Sequence, residues 1–592
     1  MPDNVDAEFL FPTPSPPPSS LSPYHSPGIS PASTQALIAA LTENHKRWHI
    51  FFNDKGFHNH TSHHLLAIWG LGVDAAIIKA AYENDLKTQR PAFKSPEPIT
   101  EGNYEKHLGD EKFYDAYVNF FTDYARKNGT RDMLQTFIFS KKYNTEQMGM
   151  LNRFLSGLVH PMIHTGYGAE FNLPGMLIEG IAQACVHKTN VTELLPQSFF
   201  DSVLSIPETV SSTFLGGATQ RIAQFAAQFA QGRSSSSSND VHALTILARV
   251  MADSRLSLPD DLDTGNVIQK TIAKHSQLIR EYVSQWTIDV SKAGEIERKV
   301  EEIAWTNVVM YGIAGWTWAQ QVKQGSEGEF NADFFLMHLV TSAAFIPSLL
   351  ARLDSVQHQV LLLRSYFAVC LSWYIARARP KFDVRAFFLS STATPHPLPI
   401  HALPTPHEDA LQGSDKIQTQ VPDPWLPLVS TTIVHPDEHL PKTIRALASW
   451  ASKFGSTPAG TFGGPSSGSS AEPAASKNAI KTELPGAEYL DGTLFVRVAG
   501  LTVARVELVR VKRRLSFGIG RDSLRMLEGR RKATIEHVFL GPLDVSCRSF
   551  SFFGVPFVAA LVSCCTIPCR SRMNESMHPT SFGPQKRQGS HE

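Results

Sequence analysis

The chain has 592 residues, of which 42% are hydrophobic and 19% are charged, with 55 basic and 55 acidic side chains. This composition predicts a globular protein that is long enough to bury a large core or two smaller ones. A formal net charge of zero provides no electrostatic attraction to nucleic acid or to an anionic membrane, so neither is expected as a partner.

The cysteines and the N-terminus indicate a cytoplasmic protein. The six cysteines contain no pair with the spacing of a zinc ribbon and suggest no disulfide framework. The first residues are acidic and lack the basic and apolar regions of a signal peptide. We therefore expect a reducing, intracellular setting.

Residues 1–33 are rich in proline and serine, and they predict a disordered, mobile arm. From Thr34 onwards the apolar residues recur at helical spacings. His45 and His49 in this segment are four residues apart, but their charged neighbours favour a solvated helix face over a pair of metal ligands.

Four histidines follow within seven residues, at positions 58, 60, 63 and 64. They lead into an apolar segment that predicts a buried helix, in which each imidazole needs a partner. On such a helix His60 shares one face with His63 and His64. The glycines at positions 70 and 72 predict the end of this helix rather than a dinucleotide-binding loop, because no strand precedes them.

A second histidine cluster lies about a hundred residues later. His160 and His164 share a helix face, and Pro161 places His160 at or just before the first helical turn. His338 stands alone in a later apolar helix. We interpret the clusters as parts of one site, because imidazole suits iron(II), copper or zinc, and an iron centre with an open position would activate dioxygen.

The assignment of roles follows from this interpretation. The predicted metal ligands are His60, His64, His160, His164 and His338; the predicted catalytic residues are His58, His63, Tyr167 and Glu170. Two other interpretations stay open: single histidines cap helices or form hydrogen bonds in a polar core, or all of them act without metal as general acids and bases. For Glu170 and Glu179 three roles stay open, a ligand, a partner that orients an imidazole, or a plain helix charge, and Tyr167 either lines the pocket or fills a turn. His187, His439 and Arg90 are interpreted as structural.

Long helical patterns dominate the chain, and the predicted fold class is mainly α. We expect a single large helical domain over residues 34–509, with a small amount of strand near residues 494–511. Surface loops are predicted near 234–239, 390–419 and 455–476, where serine, proline and glycine accumulate.

The tail at residues 510–592 is atypical, with abrupt basic runs and four of the six cysteines. Residues 552–569 are uncharged and reach the length of a membrane span, although two prolines and a polar run argue against one. We interpret the tail as a gene-model artefact, with a tail anchor as the alternative.

Several motifs together resemble the questin oxidase-like family, the fungal Baeyer–Villiger-type oxidases of anthraquinone and aflatoxin polyketide pathways. The resemblance covers roughly residues 34–509 and rests on the segments 56–60 with His63 and His64, 89–91, 160–161 with His164, 166–171, 333–338, 377–380, 437–442 and 490–495.

The resemblance implies an NADPH-dependent monooxygenase that uses dioxygen to oxidise or cleave an anthraquinone-like or xanthone-like polyketide. The residues themselves add a contrast, since the sequence has neither a flavin nor a nicotinamide fingerprint. Two alternatives therefore accompany the metal-centred oxygenase. One is a metal-free, NADPH-dependent Baeyer–Villiger oxidase, and the other is a non-catalytic scaffold that binds polyketides.

Overall fold

The computed structural model describes residues 7–204, 241–256, 266–321, 330–390, 423–465, 476 and 478–518, with residues 507–518 as backbone only. All of them belong to one compact unit. The predicted loop near 234–239, nearly all of that near 390–419, part of that near 455–476 and residues 519–592 of the predicted tail lie outside the described residues.

The prediction of a mainly α fold is confirmed. The α-helices are α1 (Pro31–Arg47), α2 (Thr61–Gly70), α3 (Ala75–Asp85), α4 (Tyr114–Asn128), α5 (Thr130–Leu134), α6 (Met150–Phe154), α7 (Ser156–Phe171), α8 (Pro174–Val186), α9 (Gln197–Leu204), α10 (Ala243–Ala252), α11 (Val267–Gln285), α12 (Glu295–Val308), α13 (Ala314–Gln321), α14 (Phe334–Ala343), α15 (Ile346–Leu350), α16 (Val356–Ala376), α17 (Val384–Leu389), α18 (Trp425–Thr432), α19 (His439–Phe454) and α20 (Leu494–Gly518). Within the described ranges the only strands are β1 (Phe462–Gly463) and β2 (Ile480–Lys481), which pair in parallel.

Local sequence explains where the helices that carry the site begin and end. The side chain of Asp333 accepts hydrogen bonds from the amides of Phe335 and Leu336 and so caps α14. After α2, Gly72 adopts a φ of 87°, which confirms the predicted glycine-terminated helix end. A Cβ at Gly72 would lie 2.1 Å from the carbonyl oxygen of Pro27, so glycine is also required by the close approach of the N-terminal segment.

The predicted strand near residues 494–511 is wrong, because this segment forms helix α20. Its valines suggest alternation, but the buried residues recur every three to four positions, as on one face of a helix. These buried residues are Leu494, Phe495, Val498, Ala499, Thr502, Val503 and Val506. Burial against α19 and α18 outweighs the β-propensity of the valines.

The prediction of a mobile arm is wrong for residues 7–33, which pack against the core. Phe11 and Leu21 are buried, at 3% and 4% exposure. The hydroxyls of Ser22 and Ser348 lie 2.7 Å apart in the interior. Composition alone misled the prediction: apolar anchors between the prolines gain burial energy, while the prolines reduce the entropy that ordering costs.

Four helices surround the histidine motifs. Helix α19 packs against both α2 and α14, and α7 packs against α14 and α2. Helices α7 and α8 form a tight pair, in which a Cβ at Gly180 would lie only 2.2 Å from Oγ1 of Thr165. This arrangement brings segments that are far apart in the sequence to one buried place.

Helix α16 is the one helix in the described part of the chain that is long and apolar enough to cross a membrane. Of its most apolar window, 94% is buried inside the protein, as in a core helix.

Candidate active site

Three imidazole rings form the centre of the site. His58 and His60 lie just before α2, and His160 begins the regular part of α7. The ring of His160 stacks on that of His58, with centroids 4.0 Å apart and an interplanar angle of 6°. It also stacks on that of His60, with centroids 4.9 Å apart. One nitrogen of each ring lies within 4.8 Å of the others, so the three rings are close enough to share a metal ion.

The hydrogen bonds of His60 and His160 leave two lone pairs facing each other. Nδ1 of His160 lies 2.6 Å from the carbonyl oxygen of Gly157, and Nδ1 of His60 lies 3.0 Å from Oε1 of Glu438. A carbonyl and an ionised carboxylate only accept, so each Nδ1 carries the proton and each Nε2 of a neutral ring presents a lone pair. The two Nε2 atoms are 2.8 Å apart. A cation between them, either a proton or a metal ion, would remove the repulsion between these lone pairs.

A metal ion fits these donors with a small adjustment. Metal–nitrogen bonds of about 2.1 Å at tetrahedral angles place ligand nitrogens about 3.4 Å apart, so the rings of His60 and His160 would separate by roughly 0.6 Å. His338 adds a further donor beside His160, at a ring distance of 5.0 Å. Its Nδ1 donates to the carbonyl oxygen of Phe334, 2.7 Å away, which leaves Nε2 with a lone pair.

Nε2 of His58 and Nε2 of His338 are buried and have no hydrogen-bond partner among the described residues. Each such atom costs about 1–3 kcal/mol of folding free energy, unless something binds it. The side chains that carry them are 8% and 2% exposed. This cost supports a site that is built to bind a ligand rather than to stabilise the core.

The backbone before His160 adopts an unusual conformation. Gly157, Leu158 and Val159 have φ values of 56°, 56° and 58°, in the left-handed region that costs a non-glycine residue about 1–2 kcal/mol. A Cβ at Gly157 would also lie 2.1 Å from Nε2 of His187, so the position requires glycine. Such strain is concentrated at functional sites, and here it fixes the direction of the His160 ring.

Burial keeps the imidazoles neutral at physiological pH. Burial lowers the pKa of His58, His160 and His338 well below the ordinary value of 6.5, and neighbouring positive groups lower it further. Burial, with Lys442, also lowers the pKa of His60 to about 3. Burial alone would raise the pKa of Glu438, but His439 and His60 hold it well below its usual range. Neutral imidazoles beside a carboxylate are the form in which these groups bind metals.

A second row of side chains extends from this centre towards the surface. Nε2 of His63 lies 3.0 Å from Nδ1 of His164, whose Nε2 lies 2.7 Å from Oε2 of Glu179. The other oxygen of Glu179 lies 2.6 Å from Nδ1 of His45. The expected solvated face for His45 is therefore wrong, because this histidine turns inwards to a buried carboxylate.

Tyr167 and Glu170 occupy different surroundings. The ring of Tyr167 stacks on that of His63, with centroids 5.2 Å apart. Glu170 instead accepts a hydrogen bond from Nη2 of Arg445, which also lies 5.9 Å above the Tyr167 ring. Burial raises the pKa of Glu170 to about 6, although Arg445 opposes the shift. Glu170 is thus in contact with an arginine and supports Tyr167 indirectly.

The predicted histidines are only partly brought together. His60 and His160 meet, and His338 lies beside His160. His58, which the sequence assigned to acid–base chemistry, lies in the stack with His60 and His160.

The remaining two predicted ligands lie outside this group. Nδ1 of His64 is 2.9 Å from Oδ2 of Asp85, and His164 belongs to the row with His63 and Glu179. His60 is the N-cap of α2 and its carbonyl oxygen accepts the amide of His64 at 2.9 Å, but the two side chains bind different carboxylates, those of Glu438 and Asp85.

Helix α19 and the residue before it supply groups that the sequence interpretation missed. The ring of His439 lies 5.0 Å from that of His60 and 5.3 Å from that of His338. Lys442 is buried, and burial lowers its pKa to about 8 against the opposing charge of Glu438. The sequence feature that could have identified these groups is the occurrence of polar residues among the apolar residues of the segment that forms α19. Polar residues on a buried helix face indicate a buried polar site.

Comparisons with known proteins agree on one family. The family model described as Questin oxidase-like matches residues 57–447. The chain is 28% identical over 369 residues to the Baeyer-Villiger oxidase mdpL of Emericella nidulans, covering 60% of this chain and 72% of the relative. It is 31% identical over 160 residues to the Baeyer-Villiger oxidase ptaJ of Pestalotiopsis fici, covering 26% of this chain. It is 32% identical over 166 residues to the oxidoreductase AflY of Aspergillus parasiticus, covering 26% of this chain.

The length of these alignments differs between relatives. The match to ptaJ spans 36% of that protein, and the match to AflY spans 32% of that one. The chain thus aligns with about a third of each of these two relatives, in contrast to the match with mdpL.

Proposed function

The chain belongs to the questin oxidase-like family, and on that premise we propose that it is an oxidoreductase that incorporates oxygen into an aromatic polyketide. The substrate class is a hydroxyanthraquinone or a xanthone-like compound, and the reaction is a Baeyer–Villiger-type oxidation or ring cleavage. Relatives named Baeyer-Villiger oxidases support the reaction type.

The observation that carries the metal-centred form of this proposal is the pair of facing lone pairs on His60 and His160, 2.8 Å apart. His58, His60 and His160 would hold a divalent metal such as iron(II), with His338 as a further donor. When bound, such a metal supplies Lewis acidity and redox chemistry towards dioxygen. The carboxylate of Glu438 fixes the tautomer of His60 by accepting from its Nδ1.

Aromatic rings around the histidines suit a flat substrate. Phe334 lies 4.4 Å from the ring of His338 and 5.0 Å from that of His439. Tyr167 lies 4.5 Å from Phe345. Rings of this kind bind planar aromatic molecules by stacking and exclude water from their surroundings.

NADPH, which the family resemblance implies, has no Rossmann-type site among the described residues. A Rossmann-type site needs a parallel sheet whose strands lead into helix N-termini, whereas the described strands are two residues long. A cleft of about 500 Å³ beside α4 has no histidine in its lining, which carries four carboxylates, Glu97, Glu101, Asp115 and Asp123, and one lysine, Lys127. This excess of negative charge disfavours the phosphates of a dinucleotide, and none of the residue roles proposed here depends on nicotinamide.

The reaction can insert one oxygen atom of dioxygen or both, and these two reactions differ in the electrons that they consume. Insertion of one atom of dioxygen consumes two electrons and two protons and releases one water, so it needs a reductant such as NADPH. Incorporation of both oxygen atoms into the product consumes no external electrons.

Oxygen uptake with a hydroxyanthraquinone tests the proposal. We expect uptake by the native protein, and mass spectrometry after reaction under ¹⁸O₂ counts the atoms incorporated, while NADPH oxidation measured in parallel gives the electron source. His60→Ala should abolish uptake. The matched control is His107→Ala, because His107 is also buried but stacks on Phe113 outside the site.

Two other outcomes of this experiment would each support one of the alternative functions. Binding of the anthraquinone without oxygen uptake would contradict the enzyme and support a scaffold protein. Undiminished uptake in metal-free protein would contradict the metal centre and leave the histidines as acid–base groups.

A further inference from the structure

The hydrogen-bonded row of His63, His164, Glu179 and His45 has a defined arrangement of protons. Its three contacts of 3.0, 2.7 and 2.6 Å join four side chains from four helices, α1, α2, α7 and α8. The side chains of His164 and Glu179 are 2% and 4% exposed, and that of His45 at the outer end is 16% exposed. Hydrogen bonds of these lengths are strong only when donors and acceptors alternate.

The carboxylate at one position of the row determines the tautomers of the others. Burial alone would raise the pKa of Glu179, but hydrogen bonds from His164 and His45 lower it to about 2, so Glu179 is ionised. An ionised carboxylate only accepts, so Nε2 of His164 and Nδ1 of His45 carry protons. In the arrangement with one proton on each imidazole, Nδ1 of His164 then accepts from Nε2 of His63. The remaining nitrogen of His63, Nδ1, is left with a lone pair.

That lone pair is buried. His63 is 1% exposed, and its Nδ1 has no hydrogen-bond partner among the described residues. The stacked ring of Tyr167 covers one face of the imidazole, at an interplanar angle of 19°, and so fixes its plane. An oriented imidazole nitrogen with a lone pair can accept a proton, which is one requirement of a general base.

We propose that Nδ1 of His63 is the general base that deprotonates a phenolic hydroxyl of the substrate, and that His164, Glu179 and His45 are positioning residues for it. The inference rests on the proposed function. The O–H electron pair stays on the substrate oxygen as a phenolate, and the proton forms a new N–H bond at Nδ1. The Nε2 proton of His63 can then pass to Nδ1 of His164, where the carboxylate of Glu179 stabilises the positive charge.

Glu179→Gln tests the charge that stabilises this row. The amide keeps the shape but removes the negative charge, whichever way it faces. We expect kcat to fall roughly 10²-fold or more with KM changed less than about threefold, since the loss concerns the developing imidazolium and not substrate binding. Glu179→Asp retains the charge and should recover part of the lost kcat. A merely structural role would give no such recovery.

Glu302→Gln is the matched control. Glu302 is also buried and ionised, with burial outweighed by nearby positive charges that lower its pKa to about 2. It binds Nε1 of Trp286 and Nζ of Lys299, outside the histidine site. This variant should lose stability but retain kcat. Unchanged kcat in Glu179→Gln, with the fold intact by circular dichroism, would overturn the proposal.

Neutron diffraction on deuterium-exchanged crystals of the native protein tests the tautomers without any activity assay. Deuterium is expected on Nε2 of His63, Nε2 of His164 and Nδ1 of His45. Deuterium on Nδ1 of His63 in the neutral ring would overturn the proposal. A native protein that consumes no oxygen would instead refute the proposed function, and the nuclear density would still decide the arrangement of the row.

Discussion

The Nε2 atoms of His60 and His160 lie 2.8 Å apart, although the two residues are separated by 100 positions in the chain. Each ring uses its other nitrogen to donate to an oxygen, of Glu438 and of Gly157 respectively. Two neutral rings in this arrangement repel each other through their lone pairs. A shared proton or a metal ion between the two atoms would remove this repulsion, and these are the two alternatives to separate.

Metal titration separates these alternatives. We expect the native protein to bind about one cobalt(II) or iron(II) ion, because three imidazole nitrogens within 4.8 Å are already oriented. The visible absorbance of cobalt(II) reports its coordination. His160→Ala should weaken binding by at least roughly 10²-fold, since a direct ligand is lost. His107→Ala should bind as the native protein does. A native protein that binds no metal would leave the shared proton as the explanation.

Arg445 neutralises Glu170 in the interior, and Arg445→Met should be strongly destabilising. The exposures of the two side chains are 4% and 0%, so the variant leaves a carboxylate buried without its partner. Loss of one partner of such a pair costs about 3–5 kcal/mol in the free energy of unfolding, measured by urea denaturation at neutral pH. The double variant with Glu170→Gln should recover much of this loss.

A surface pair provides the comparison for Arg445. Arg131 and Asp354 are 49% and 59% exposed, so Arg131→Met should cost about 1 kcal/mol or less. Equal losses in the two arginine variants would contradict the importance of burial.

Gly180→Ala should disturb the contact between α7 and α8. The new Cβ would lie 2.2 Å from Oγ1 and 2.6 Å from the backbone nitrogen of Thr165, and the backbone atom cannot rotate away. We expect a loss of about 1–3 kcal/mol or more in the free energy of unfolding. At Gly102 a Cβ would meet only Oγ1 of Thr100, at 3.8 Å, so Gly102→Ala should have little effect. If Gly180→Ala left the free energy of unfolding unchanged, the two helices would be less tightly packed than described.

Glu302 makes the free energy of unfolding depend on pH in the acidic range. Its pKa is about 2 in the folded protein, below the value of 4.5 expected when unfolded, so its contribution is present above pH 4.5 and lost as the pH falls towards 2. The contribution is on the order of 3 kcal/mol. The stability difference between the native protein and Glu302→Gln should therefore be largest near neutral pH and shrink as the pH falls below about 4.5. Urea unfolding at several pH values measures it, and a constant difference would contradict the assigned pKa.

The sequence by itself determined the fold class, most of the helices and the presence of a histidine-rich site. Apolar periodicity has a direct physical cause, since residues three and four apart share a helix face, and this indicated α2, α7, α14 and α16. It also indicated that His160 begins a helix, because Pro161 is tolerated in the first turn. The family motifs identified the class of protein independently of geometry.

Only the tertiary structure decided which of these histidines meet. Helix packing brings His58 rather than His64 to His160, while the carboxylate of Asp85 on α3 holds the ring of His64 elsewhere. The same packing turns His45 inwards to Glu179, although its neighbours in sequence are charged. Polar residues usually face solvent, but in a buried polar site they lie in the interior. A prediction that places polar residues on the surface is therefore wrong for the residues that carry out the chemistry.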